Sequence, residues 1–112
     1  MEQVIIKGEK FNVAESVSYS AQSVVSKVVL KKDIGNITLF AFEKGEGLSE
    51  HTAPFDAMVH IIDGTAEIKI GGNPHILNAG EAIIMPANIA HALHAVERFK
   101  MMLIMIREKQ NG

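Results

Sequence analysis

Short apolar segments alternate with turn-forming residues along most of this chain. In residues 65–70 the alternation is strict, which predicts a strand with Ala66, Ile68 and Ile70 facing a core. Valine and isoleucine dominate the other apolar segments, and β-branched residues of this kind favour strands over helices. The pattern therefore predicts an all-β domain built from short strands.

Residues that favour turns separate these segments. The sequence Asp33–Asn36 predicts the turn of a β-hairpin, and the dipeptide Asp63-Gly64 predicts a second one. A further tight turn is expected at Glu97-Arg98. The predicted strands are residues 24–30, 37–43, 57–62, 65–70, 82–86, 91–96 and 99–106.

The two ends of the chain have different patterns. Residues 99–106 are apolar at nearly every position, so both faces of that strand should be covered, by a second sheet or by a partner subunit. Residues 1–23 read as an N-terminal strand and turn extension, with a single helical turn within 11–17 that Asn12 could cap. Regular short strands with glycine and proline turns predict a sandwich or barrel.

Composition narrows the class of protein further. A chain of 112 residues is expected to form one domain with an ordinary core. Because it has no cysteine, it needs no oxidising compartment, and we expect a cytoplasmic protein without a secretory signal or a membrane span. Its formal net charge of -2 gives no electrostatic reason to expect a nucleic acid partner.

A first spaced motif lies between Gly45 and Gly64. Five residues separate Gly45 from His51, and Ala53 stands two positions after that histidine. Ala57 follows, and six residues then separate it from Gly64.

A second spaced motif begins at Gly80. Five residues separate it from Pro86, Asn88 stands two positions later, and His91 follows Pro86 after four intervening residues. In order and spacing, the two motifs resemble those of the cupin family across about half the chain. The resemblance implies a double-stranded β-helix, also called a jelly-roll barrel, that forms a single cupin domain over residues 1–112, with the extension at about 1–23.

The resemblance also implies where a ligand pocket would lie. The family's motifs place four metal-binding side chains at the positions of His51, Ala53, Ala57 and His91, and an alanine coordinates nothing. These four residues are therefore expected to line a pocket that is larger and less polar than usual in the family. At most His51 and His91 would serve as metal ligands.

Strand geometry limits what could complete such a metal site. Side chains on one face of a strand are two residues apart, so His94 should point away from His91, and His60 away from Ala57. Asp56 is the remaining candidate, because it would turn inward if its strand began one residue late. With the two histidines it would form the two-histidine, one-carboxylate set typical of non-haem iron.

Three functions are compatible with these residues. The first is a domain that binds or senses a small molecule in a degenerate pocket, anchored by His51 and His91. The second is a metal-dependent enzyme of the isomerase or oxygenase kind, in which these histidines hold a divalent ion of iron, manganese, nickel or zinc; with so few ligands, that ion would be weakly bound or absent. The third is a structural or partner-binding domain with hydrogen-bonded histidines and a barrel filled by methionines.

We also expect a homodimer. An uncovered sheet edge and an apolar outer face are liabilities that pairing with a second copy removes. The expected partners are therefore a second copy of the chain and a small-molecule ligand, with neither a nucleic acid nor a membrane among them.

Overall fold

The computed structural model describes residues 2–108, and β-strands account for most of them. A short 3-10 helix, Ala14–Ser16, precedes the strands. Within the described residues the strands are β1 (Val24–Lys32), β2 (Gly35–Phe42), β3 (Gly47–His51), β4 (Asp56–Ile70), β5 (Asn73–Asn78), β6 (Ala82–Met85) and β7 (His91–Ile106). No helix in residues 2–108 is long and apolar enough to cross a bilayer.

All strand pairs are antiparallel, and the two long strands organise them. The order is β1-β2-β7-β4-β5, with β3 also paired to β7 and β6 also paired to β4. The first half of β4 lies between β6 and the second half of β7, whereas its second half lies between β5 and the first half of β7. Each long strand thus passes from one layer to the other, as in a double-stranded β-helix, and the predicted fold class is confirmed.

The hairpin predicted at Asp33–Asn36 is present, because β1 and β2 pair directly on either side of it. The turns predicted at Asp63-Gly64 and at Glu97-Arg98 are wrong. Instead of reversing, the chain continues through both sites, within β4 and within β7.

A β-bulge at Gly64 explains the first of these differences. The pairing of β4 with β7 shifts register on both sides of Asp63 and Gly64, which bends the strand without reversing it. Gly64 has φ of 80°, and a Cβ there would lie 1.8 Å from the carbonyl oxygen of Arg98. The glycine is needed because the backbones of β4 and β7 approach closely at this point. In the sequence, a glycine required for such an approach cannot be distinguished from a glycine that forms a turn.

The core of the barrel is apolar. Ala66 and Ile68 are fully buried and Ile70 partly so, which confirms the predicted alternation. The rings of Phe42 and Phe99 stack within the same core, with their centroids 4.4 Å apart. This packing forms the core of the barrel.

The N-terminal extension covers part of the outer face of the barrel. Val17 is buried against Leu39 and Ala41 of β2. Asn12 caps the helical turn as predicted, because its Oδ1 accepts a hydrogen bond of 3.0 Å from the Glu15 amide.

Beyond the extension, four strands place apolar side chains side by side on the outer face. Ile104 of β7 pairs with Ile37 and with Met58, and Met58 in turn pairs with Ile84. These four residues are called the outer row below. Ile84 is 61% exposed and the other three are partly exposed, so one apolar surface of the single chain faces solvent.

Candidate functional site

His51 and His91 meet where β3 ends and β7 begins. The two residues are register partners, and a register shift between Leu48 and His51 brings the last residue of β3 opposite the first of β7. His91 is only 5% exposed, whereas His51 is exposed. His94 is also exposed, three positions from His91, as strand geometry predicted.

The two imidazoles face each other through their Nε2 atoms, which are 3.1 Å apart. Each ring is held on its other side by a backbone carbonyl. Nδ1 of His51 lies 2.8 Å from the Ser49 oxygen, and Nδ1 of His91 lies 3.3 Å from the Ile89 oxygen. Both Nε2 atoms are thereby directed at one point.

This arrangement restricts the protons of the pair. A carbonyl oxygen only accepts, so the short contact from His51 to Ser49 requires hydrogen on Nδ1 of His51. In the neutral ring, Nε2 of His51 is then a bare acceptor. In one arrangement, His91 carries its hydrogen on Nε2 and donates it to Nε2 of His51, and it then loses the hydrogen bond to the Ile89 oxygen. In the other, an additional proton or a cation lies between the two rings.

Burial lowers the pKa of His91 below its ordinary value. A charge on His51 lowers it further, while the Ile89 carbonyl acts in the opposite direction. His91 is therefore neutral near pH 7 and available as a hydrogen-bonding or metal-binding group.

Alanines occupy the other two positions expected to line the site. Ala57 is 5% exposed, and its register partners are Met85 of β6 and Met105 of β7. A methyl group flanked by two thioethers gives this wall an apolar character. Ala53 is half-buried in the loop after His51.

The structure does not bring Asp56 to the histidine pair. β4 begins at Asp56 itself, so this side chain lies on the opposite face from Ala57, and it is exposed. Its Oδ1 accepts a hydrogen bond of 2.8 Å from the Ala87 amide. Within residues 2–108, no three histidine or acidic side chains come close enough to hold a metal ion. The predicted iron-type set is thus not assembled.

Two hydrogen bonds join the loop after β3 and the first residue of β4 to the loop after β6. Besides the Asp56 contact, the Asn88 amide donates to the Ala53 oxygen over 2.7 Å. Asn88 has φ of 64°, a left-handed conformation that asparagine tolerates better than most residues. Asparagine can therefore occupy this turn, and its amide orders the loop beside Ala53.

The donor set fits two positions of a metal site. Bonds of about 2.0 to 2.1 Å from one ion to two nitrogens 3.1 Å apart require an N–metal–N angle of about 100°. The Nδ1 contacts with Ser49 and Ile89 are of the kind that orient metal-binding histidines. These two carbonyls could not be predicted from the sequence, because their orientation depends on the conformation of the local loops.

Comparison with known proteins now defines the family. A family model described as a cupin domain matches residues 38–107, so the chain belongs to the cupin family. No curated protein matches the chain significantly.

Solved structures support the same assignment. A conserved protein of unknown function from Streptococcus pyogenes is 33% identical, with a TM-score of 0.90, covering 95% of this chain and 93% of that one. A cupin 2 conserved barrel domain protein from Leptotrichia buccalis is 42% identical, with a TM-score of 0.84 over 87% of this chain. The match spans 47% of the Leptotrichia chain, so this chain corresponds to about half of it.

A more distant structure shares the fold alone. It is a putative mannose-6-phosphate isomerase from Ralstonia eutropha, 18% identical with a TM-score of 0.77, matched over 89% of this chain and 99% of that one.

Proposed function

We propose that this cupin domain binds a small organic molecule inside the barrel, with the His51–His91 pair as the polar anchor. The main support is the convergence of the two Nε2 atoms at 3.1 Å, with one ring exposed at the mouth and the other buried. A pair directed in this way can accept a hydrogen bond from a ligand, or donate one to it, depending on which nitrogen carries the proton.

The surrounding wall favours a ligand that is partly apolar. In the row of β2, β7, β4 and β6 that contains Ala57, the neighbours are Asn36, Met105 and Met85. Two residues further along each strand, the next row on the same face consists of Thr38, Leu103, Val59 and Ile83. A few polar groups among mostly apolar side chains are typical of small-molecule sites.

A metal-dependent enzyme of the isomerase or oxygenase kind is the second candidate. The angle of about 100° available to an ion at both Nε2 atoms favours it. A bound divalent ion would act as a Lewis acid that polarises a substrate oxygen. The chain itself would orient that ion through two imidazoles fixed by carbonyls, and the alanines would leave the rest of its coordination to the substrate and to water.

Methionine methyl groups provide the test of small-molecule binding. We would titrate hexanoate and 1-hexanol into protein labelled with carbon-13 at the methionine methyls. The expected result is that the signals of Met85 and Met105 shift in saturable fashion. Met58, in the outer row, serves as the control and should not move. The variants His51→Ala and His91→Ala should weaken binding.

The alternatives predict different outcomes of the same titration. Shifts confined to Met58 would mean that the probes only adsorb on the outer face. No saturable shift at Met85 or Met105, together with metal-free protein by elemental analysis, would support a structural domain with a filled barrel. Near-stoichiometric metal that both histidine variants abolish would support the enzyme.

We further propose that the chain forms a homodimer through the outer row. Ile37, Ile104, Met58 and Ile84 lie side by side without a charged residue among them. The N-terminal extension packs on the neighbouring part of the same face. The outer row is therefore the uncovered continuation of an apolar surface that is partly buried within the chain. A second copy presents the same row and can cover it symmetrically.

A further inference from the structure

A second concave site lies at the end of the β1–β2 hairpin, away from the histidine pair in the sequence. Its volume is about 400 Å³, which is within the range of small-ligand sites. The residues that line it are Lys31, Lys32, Asp33, Gly35, Asn36 and Arg107. This site is called the hairpin cleft below.

Strand pairing brings its cationic residues together from distant parts of the chain. Lys31 pairs with Asn36, and Asn36 pairs with Met105, two residues before Arg107. The Arg107 amide donates a hydrogen bond of 2.6 Å to the Ile34 oxygen, which joins the end of β7 to the hairpin turn. The Arg107 guanidinium lies 5.3 Å from the centre of the Phe55 ring, a distance suited to a cation–π contact.

The charges of the hairpin cleft are unbalanced. Three of its lining side chains are cationic and one, Asp33, is acidic. The ion pairs found in residues 2–108 join Lys44 to Glu97 and Arg98 to Glu43, so neither lysine of the cleft nor Arg107 is paired there. This local excess of positive charge occurs in a chain whose formal net charge is -2.

Asn36 adds a neutral donor to these cations. Its Oδ1 accepts a hydrogen bond of 3.1 Å from the Thr38 hydroxyl, which fixes the orientation of the amide. The amide nitrogen is then left to donate, and it has no partner within the described residues. Cationic groups beside a directed amide donor favour an oxyanion.

We propose that the hairpin cleft binds the anionic group, a carboxylate or a phosphate, of a small molecule. Arg107 supplies a planar, permanently charged donor and the two lysines supply further charge. A second cavity of about 1200 Å³ shares Asp33 and Arg107 with the cleft and is also lined by Asp56 and Glu108. The acidic residues thus lie on the side of Arg107 that faces the larger cavity. The anion is therefore expected to bind on the other side of Arg107, beside Lys31 and Lys32.

The test uses inorganic phosphate and acetate as separate probes, titrated into nitrogen-15 labelled protein at low ionic strength. Saturable shifts of the Asn36 side-chain amide and of the Arg107 backbone amide are expected. The variant Arg107→Gln should weaken phosphate binding roughly two- to fivefold, the scale of one exposed charge contact. Asp33→Asn should strengthen binding by a similar factor, because it removes the acid that opposes the anion.

A matched control distinguishes a site from general surface charge. Lys69→Gln removes the same charge from an exposed position of β4 that does not line the cleft. Equal weakening by Lys69→Gln and Arg107→Gln, or the absence of saturable shifts at Asn36, would overturn the proposal. Tighter binding of phosphate than of acetate would assign the site to phosphate esters, and the reverse to carboxylates. Asn36 also neighbours Met105 in the barrel row that contains Ala57, so its shift alone does not assign the site. The Arg107 amide and the effect of Arg107→Gln lie outside that row, and they distinguish the hairpin cleft from the histidine pair.

Discussion

Nε2 of His51 and Nε2 of His91 lie 3.1 Å apart, although the two residues are 40 positions apart in the chain. The pairing of β3 with β7 causes this meeting, and the carbonyls of Ser49 and Ile89 orient the two rings. If a metal ion binds here, as in the second candidate function, the two Nε2 atoms would supply two ligands, and the alanines at 53 and 57 would supply none.

Adding a third imidazole should increase the affinity of the histidine pair for a metal ion. We expect Ala53→His to tighten nickel or cobalt binding by roughly tenfold or more, equivalent to about 1.4 kcal/mol. The reason is that catalytic metal sites usually have three protein ligands, whereas the native chain offers two. Calorimetric titration of each metal into the wild type and the variant measures the difference.

The same substitution in a His91→Ala background is the control. It restores two ligands in total, so its affinity should fall back to about that of the wild type. Unchanged affinity in Ala53→His itself would mean that position 53 does not face the point where the two Nε2 atoms converge.

The stability of the protein should depend on pH through His91. Burial lowers its pKa in the folded state, so the unfolded chain takes up a proton at a higher pH than the folded chain does. The free energy of unfolding should therefore be highest above about pH 6.5, the ordinary imidazole pKa, and should fall as the pH drops from there towards the lowered value.

Urea denaturation between pH 5 and pH 8 measures this dependence. His91→Gln should flatten the part of the slope due to the buried imidazole. His75→Gln, at an exposed position of β5, should leave the slope as in the wild type. Equal slopes in both variants would show that other groups control the pH dependence.

Much of the site could be predicted from sequence spacing, because the histidines sit at strand ends. Spacing predicted that His51 and His91 would lie together, as they do. The two-residue repeat of a strand predicted that His94 would point away from His91, and it is exposed. Asp56 could not be resolved, since its direction depends on the residue at which β4 begins and on the amide of Ala87. The roles of the histidines as ligands stay predictions.

The fold class was predictable because alternation and turn residues are local signals. The continuity of β4 and β7 was not, since a glycine after aspartate marks a hairpin turn and a bulge alike. Gly64 bends β4 because β7 passes close to it, and that contact joins parts of the chain about 34 residues apart. Long-range pairing of this kind leaves no trace in a local pattern.

Replacing Gly64 by alanine should destabilise the fold strongly. The new Cβ would lie 1.8 Å from the Arg98 oxygen, and the backbone would keep a positive φ. We expect a loss of at least about 3 kcal/mol, since strain and a backbone clash add. Gly72→Ala is a control for strain alone, because Gly72 has φ of 81° with nothing within 4 Å.

Chemical denaturation compares the two variants. Gly72→Ala should cost only about 1 to 2 kcal/mol, the penalty of a left-handed backbone for an L-residue. Equal losses in both would contradict the close approach of β4 and β7.

The outer row should decide the oligomeric state. We expect a dimer in size-exclusion chromatography with light scattering, and Ile84→Asp should dissociate it, because a charge would be buried between two apolar faces. Ile76→Asp makes the same change at a similarly exposed isoleucine, 55% against 61%, on β5 outside the row. That variant should remain dimeric. A monomeric wild type at tens of micromolar, or dissociation by both variants alike, would mean that the outer row is not the dimer interface.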